Sequence, residues 1–178
     1  MRYLLTSLVC LIAFSVLGQE SGLKIDNKST VYQKTFQGKI DNPIKFTEEL
    51  KHIDGIKLID NIIYGEISIP NSEVKKSIYN VGKKPLNTII FILRTSVKAQ
   101  IKIEIKDDRY RVTLSEIDLE FIDEYPFEGE VNQLNEYTLN KKGEIRNRTF
   151  KEAKLVYDEL FERYFILEQE HNQEEQDW

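Results

Sequence analysis

Ile101-Lys102-Ile103-Glu104-Ile105-Lys106-Asp107-Asp108-Arg109-Tyr110-Arg111-Val112-Thr113-Leu114 is the stretch from which the fold can be read. Apolar and polar residues alternate on both sides of Asp107-Asp108, the period of a half-buried strand. Folding across that two-residue turn sets Ile105 opposite Tyr110, Ile103 opposite Val112 and Ile101 opposite Leu114 on one face. The other face then sets Glu104 against Arg111, a favourable cross-strand charge pair. A slip of one residue would bury the charges, so a single register satisfies both faces. Upstream the alternation extends to Val97 and Ala99. Downstream the apolar phase moves to Ile117, Leu119 and Phe121, which requires a bulge or bend near Ser115-Glu116.

The flanking segments supply the other layer. Val31 to Phe36 reads as a strand. Asn42-Pro43 opens a short helix, with Asn as the cap and Pro in the first turn. Its apolar face is Phe46, Leu50 and Ile53, and Gly55 is read as its stop. Ile56 to Pro70 reads as two strands joined at Asp60-Asn61. Val74, Ile78 and Val81 suggest a short helix before the Gly82 and Pro85 turn, and Thr88 to Leu93 reads as a strand. One further strand is expected at Glu136 to Leu139. Thr149 and Glu152 are spaced as a capping box for a long helix. Its stripe is Phe150, Ala153, Tyr157, Leu160, Tyr164 and Leu167, widened by Val156, Phe161 and Phe165. A stripe that broad fits a sheet face, not a coiled-coil seam. The fold class expected is α+β: a curved antiparallel sheet with a short N-terminal helix and a long C-terminal helix on one face.

The 178-residue chain starts with an export signal. Arg2 is followed by the apolar run Tyr3 to Leu17, short for a bilayer span and suited to a signal peptide. Val16-Leu17-Gly18 places compact residues for cleavage between Gly18 and Gln19. Residues 1–18 are thus read as a signal peptide, 19–29 as a flexible lead-in, 30–167 as one α+β domain and 168–178 as an acidic tail. Cys10, the sole cysteine, lies inside the signal, so the mature chain offers no disulfide and no thiolate chemistry. No stable membrane span remains after cleavage. The net charge of −5 (25 basic, 30 acidic residues) argues against nucleic acid as the partner.

At the level of the first strand Tyr32 to Phe36, the helix from Pro43, the strand Tyr64 to Ile69 and the Ile101–Leu114 hairpin, the chain resembles a family. It is similar to the exported domain-of-unknown-function family of Bacteroidetes with a TATA-binding-protein-like fold. The resemblance covers roughly residues 30–122 and rests mostly on the hairpin. It implies export and fold, and no activity, cofactor or catalytic residue.

Candidate chemistry is sparse. His52, with Glu48 one turn earlier and Asp54 nearby, is accounted for by a solvated helix end, and His171 sits in the tail. Glu116, Asp118 and Glu120 project from one side of a strand, with Asp123 and Glu124 following. A strand spreads carboxylates about 7 Å apart, too far for the converging oxygens of a calcium site. The cations of the hairpin, Lys98, Lys102, Lys106, Arg109 and Arg111, form a solvated face interrupted by Glu104. No catalytic, cofactor-binding or metal residue is assigned. The function expected is a non-catalytic binding module of the periplasm or envelope, or a secreted one, with a protein or envelope partner. The alternative is a carrier or sensor of a small apolar ligand, held in a pocket between sheet and C-terminal helix and lined by tyrosines. A hydrolase would require a cleft holding His52 with two acidic partners.

Overall fold

The computed structural model describes residues 22–49, 53–122 and 129–166. Residues 1–18, read above as a signal peptide, lie outside the described residues, as do Leu50, His52, Asp123 to Phe127, Leu167 and the tail with His171. Seven strands form one antiparallel sheet: β1 (Gly22–Asp26), β2 (Ser29–Gln37), β3 (Ile53–Ile59), β4 (Ile62–Ile69), β5 (Thr95–Lys106), β6 (Arg109–Phe121) and β7 (Val131–Gln133). Six run side by side in the order β1-β2-β6-β5-β4-β3, and β7 pairs with the far end of β6. The hairpin β5–β6 has the register read from its sequence, with Ile105 on Tyr110, Ile103 on Val112, Ile101 on Leu114 and Glu104 on Arg111. The bulge is at Glu116, whose φ is +50°, and the pairing jumps there between Lys98/Asp118 and Gln100/Ser115.

The helices are α1 (Pro43–Glu49), α2 (Asn71–Asn80), α3 (Ile90–Leu93), α4 (Leu134–Thr138) and α5 (Asn147–Phe165). Asn42 caps α1 as expected: its Oδ1 accepts the N–H groups of Ile44 at 3.0 Å and Lys45 at 3.2 Å. The stripe of α5 lies on the sheet, with Ala153, Val156, Tyr157, Leu160, Phe161 and Phe165 all buried. They meet Tyr32, Ile67, Val97, Ile103, Val112, Leu114 and Leu119 from the strands, in one continuous core.

Five expectations are corrected. Residues 22–26 of the lead-in form β1, an edge strand turned into β2 by Asn27 and Lys28, both at positive φ (47° and 63°) as a tight hairpin turn requires. Thr88 to Leu93 is not a strand: Ile90–Leu93 is a single helical turn. A short run that is apolar throughout cannot be assigned by periodicity, and here polar side chains satisfy its backbone. Glu152 accepts the Ile89 N–H at 2.8 Å, Thr95 Oγ1 donates to the Phe91 carbonyl, and Asn71 Nδ2 donates to the Leu93 carbonyl at 3.0 Å. That use of Glu152, together with its ion pair to Lys83 at 3.2 Å, explains why Thr149 and Glu152 make no capping box; α5 already begins at Asn147. Glu136 to Leu139 is helical in α4 up to Thr138, its start held by the Gln133 N–H donating to Glu136 at 3.1 Å. Gly55 is not a helix stop but part of β3, at φ +63° where the β3–β4 register shifts between Asp54 and Lys57.

Both outer edges of the sheet are blunted. Leu23 stands opposite Tyr32 with its N–H and C=O turned away from β2. Both reach α5 instead: the N–H donates to Asp158, and the carbonyl accepts from Lys154 Nζ at 2.9 Å. Lys154 and Asp158 are themselves paired at 2.9 Å, one turn apart. At the far edge, the bulge and Lys57 interrupt β3.

Candidate functional site

Among the described residues, helices cover one side of the sheet only. The side that faces away from them is built by the alternate residues of each strand, so its layout follows from register. Along β5 the outward positions are Lys106, Glu104, Lys102, Gln100, Lys98 and Ser96. Along β6 they are Arg109, Arg111, Thr113, Ser115, Asp118 and Glu120, the step from 115 to 118 being the bulge. β4 contributes Ile62, Tyr64, Glu66 and Ser68, and β3 contributes Ile59, Lys57 and Asp54.

Charge is sorted along this face. On the strands, the end near the β5–β6 turn carries Lys57, Lys102, Lys106, Arg109 and Arg111 against Glu104, with Asp60, Asp107 and Asp108 in the turns beyond them. The other end carries Asp54, Glu66, Glu116, Asp118 and Glu120 against Lys98 and Lys24. At the basic end Arg111 donates from Nε to Glu104 at 2.9 Å, and Lys102 pairs with the same carboxylate at 3.1 Å. Burial alone would raise the Glu104 carboxyl; the bonds from Lys102 and Arg111 outweigh it and hold the group below the usual carboxylate range. Lys106 and Arg109 stand directly opposite one another in the ladder, a like-charge pairing that costs free energy in the isolated sheet.

At the acidic end the strain is of opposite sign. Partial burial, and then the nearby carboxylates of Glu116, Glu66 and Glu136, raise Asp118 above its ordinary value, with Lys98 opposing. Lys98 is engaged by Glu120 at 2.8 Å. Glu116 sits on the bulge, so the three carboxylates expected on one side of a strand are not in a simple row. Among the described residues no group of three or more His, Cys, Asp or Glu could hold a metal ion.

A groove of about 590 Å³ opens at the basic end. Thr35, Arg111, Glu104 and Ile62, one cross-strand row, form part of its lining, together with Asn61, Lys106 and Arg109. A second groove, of about 510 Å³, lies between Lys28 of the β1–β2 turn and the loop after α4, with Lys141, Lys142 and Arg146 on its rim.

The tyrosines divide by side. Tyr32, Tyr110 and Tyr157 are buried between sheet and α5, where Tyr32 contacts Phe161 at 5.0 Å and Tyr110 stacks on Phe36 at 5.2 Å. The Tyr110 hydroxyl donates to the Phe165 carbonyl at the end of α5. These rings fill the sheet–helix space in which an apolar ligand was expected. Tyr64 and Tyr79 are exposed. Of the His52 neighbours, Glu48 and Asp54 are both exposed, and Asp54 pairs across the ladder with Glu66. Sequence reasoning found the hairpin cations but missed the sorting of charge, because the partners on β3 and β4 are brought alongside only by long-range pairing.

No protein-family model matches the chain, and no curated protein matches it. Among solved structures it is similar to a TBP-like protein from Parabacteroides distasonis, at 11% identity and a TM-score of 0.46, over 80% of this chain and 94% of that one. It is also similar to a DUF4468 family protein from Bacteroides ovatus, at 18% identity and a TM-score of 0.45, over 80% of this chain and 85% of that one. These are loose overlaps of chain path, and the fold described above stands on the chain's own elements. Among the described residues no helix is long and apolar enough to cross a membrane.

Proposed function

We propose that the chain is an exported, non-catalytic interaction module that works through its uncovered sheet face. The observation that carries this reading is the face itself: a sheet six strands wide, among the described residues closed by helices on one side and bare on the other, with the charges of its strands gathered into two blocks of opposite sign. Fixed charge blocks on a rigid sheet steer and orient a partner. Export is part of the proposal and is supported by the apolar run Tyr3 to Leu17 with its compact cleavage residues. So is membership of the exported Bacteroidetes family that the hairpin resembles. The partner class proposed is a protein or the cell envelope, not nucleic acid; the acidic balance of the chain and Glu104 within the basic block support this choice. The apolar-carrier reading has no support of this kind, since Tyr32, Tyr110, Tyr157 and Phe161 occupy the space it needs.

Carbodiimide footprinting of carboxylates tests the reading. The purified protein is labelled in buffer and in a bacterial envelope fraction. Labelling of Glu66, Glu116 and Asp118 should fall in the envelope fraction while that of Glu48 holds. Protection elsewhere with no change on the sheet face would refute it.

A further inference from the structure

The two charge blocks are complementary to each other, and this points to a specific occupant. We infer that the uncovered face binds a second copy of this chain, sheet face to sheet face, about a twofold axis that crosses the strands between the Lys102/Thr113 row and the Gln100/Ser115 row. The inference rests on the face being the working surface and goes on to name its partner.

The register decides the axis. A twofold lying in the interface and perpendicular to the strands keeps each strand over its own counterpart and reverses its direction. Rows then exchange in order about the centre. On β6, Arg111 of one copy meets Asp118 of the other, and Arg109 meets Glu120. On β5, Glu104 meets Lys98. On β3, Lys57 meets Asp54. Thr113 and Ser115, both small and polar, meet at the centre. Every one of these pairs occurs twice, as an isologous interface requires. A twofold parallel to the strands would instead stack basic end on basic end. Arg109, set opposite Lys106, and the crowded acid Asp118 are each unfavourably placed in the single chain, and each meets an opposite charge in the pair; Lys106 faces Ser96, which lies beside Glu120 in its row.

The area suffices. Six strands about 4.8 Å apart and six outward rows about 6.8 Å apart give up to about 800 Å² per copy, the usual share of a standard interface. Two twisted sheets stack at about 30°, which keeps the central strands in contact. Those are β5 and β6, which carry most of the complementary pairs. Few apolar side chains lie on the face, Ile62 and Tyr64 among them, so the association is electrostatic and salt-sensitive.

Analytical ultracentrifugation of the purified protein tests this directly. The expected result is a dimer near ~20 mM NaCl whose dissociation constant rises at least about tenfold by ~300 mM. Two reversal variants then separate this geometry from any other dimer. Arg109→Glu with Arg111→Glu, and Asp118→Lys with Glu120→Lys, should each be monomeric alone. Mixed together they should form a heterodimer, because both copies of each contact regain opposite charges. A wild-type chain that stays monomeric at every salt concentration, a dimer that tightens with salt, or a mixture that stays monomeric overturns the inference. If either variant fails to fold, the wild-type salt series decides it. A monomeric protein whose face is still protected in the envelope footprint would sink the self-pairing while leaving the interaction module in place.

Discussion

Tyr32 and Tyr110 are both buried tyrosines of the sheet–helix layer, and the same substitution should move them in opposite directions. The Tyr32 hydroxyl has no hydrogen-bond partner among the described residues, although its ring packs on Phe161. A hydroxyl taken out of water without a partner costs about 1–3 kcal/mol, and Tyr32→Phe removes that cost while keeping the ring. We expect a gain of about 1 kcal/mol. The Tyr110 hydroxyl donates to the Phe165 carbonyl, so Tyr110→Phe strands a buried acceptor and should lose about 1–2 kcal/mol. The two variants should thus differ by about 2–3 kcal/mol. For a domain of this size 1 kcal/mol corresponds to about 2–4 °C, so Tyr32→Phe should melt above the wild type and Tyr110→Phe below it. Urea titrations followed by far-ultraviolet circular dichroism measure the difference, with unchanged m-values showing that the unfolded state is the same. Two losses of equal size would refute the reasoning, because they would mean that the Tyr32 hydroxyl is satisfied.

Three further outcomes follow from the same contacts. Burial raises Tyr32 and Tyr157 above the ordinary tyrosine value and Tyr164 to about 12. The unfolded chain therefore loses these protons first, near pH 10, and stability held below that pH falls as pH rises. Tyr32 and Tyr157 together contribute a slope of about 3 kcal/mol per pH unit between pH 10 and 12, and Tyr32→Phe should lower the total slope in alkaline denaturation by about 1.4 kcal/mol per pH unit. Gly22→Ala should destabilise the chain by about 1–3 kcal/mol, because Gly22 has φ +103° and an added Cβ would come within 2.5 Å of Asp158 Oδ2; thermal melts against Asp158→Asn would show whether the two losses share a cause. In ~300 mM NaCl, where the single chain is favoured, Asp118→Asn should stabilise the protein at pH 7 and have no effect at pH 3, since a carboxyl raised by burial and by its acidic neighbours weakens the fold only once ionised; melts at the two pH values check this.

The hairpin was legible because each of its faces carries one kind of residue, so the Ile105/Tyr110 and Glu104/Arg111 pairs follow from the sequence alone. The bulge at Glu116 was legible for the same reason, since the apolar phase has to flip somewhere. The stripe of α5 was legible from spacing alone. What escaped was decided by partners distant in sequence. Ile90–Leu93 is a helical turn because Glu152 and Asn71 reach it, and nothing within the run itself announces that. β1 had a local signal, Leu23 and Ile25 before Asn27-Lys28, but it is short and sits beside polar residues. The sorted charge of the bare face was hidden because Lys57, Glu66 and Lys102 become neighbours only when β3, β4 and β5 align.

The clasp of Lys154 and Asp158 on Leu23 bears on how the chain behaves when crowded. A free strand margin is a template on which further molecules can add, one after another, into insoluble fibres. Here the peptide group that would accept the next molecule is already occupied by a helix of the same chain, at the cost of two ordinary surface side chains. Loss of that clasp should therefore be felt first as poor solubility at high concentration, well before any change in the shape of the folded protein.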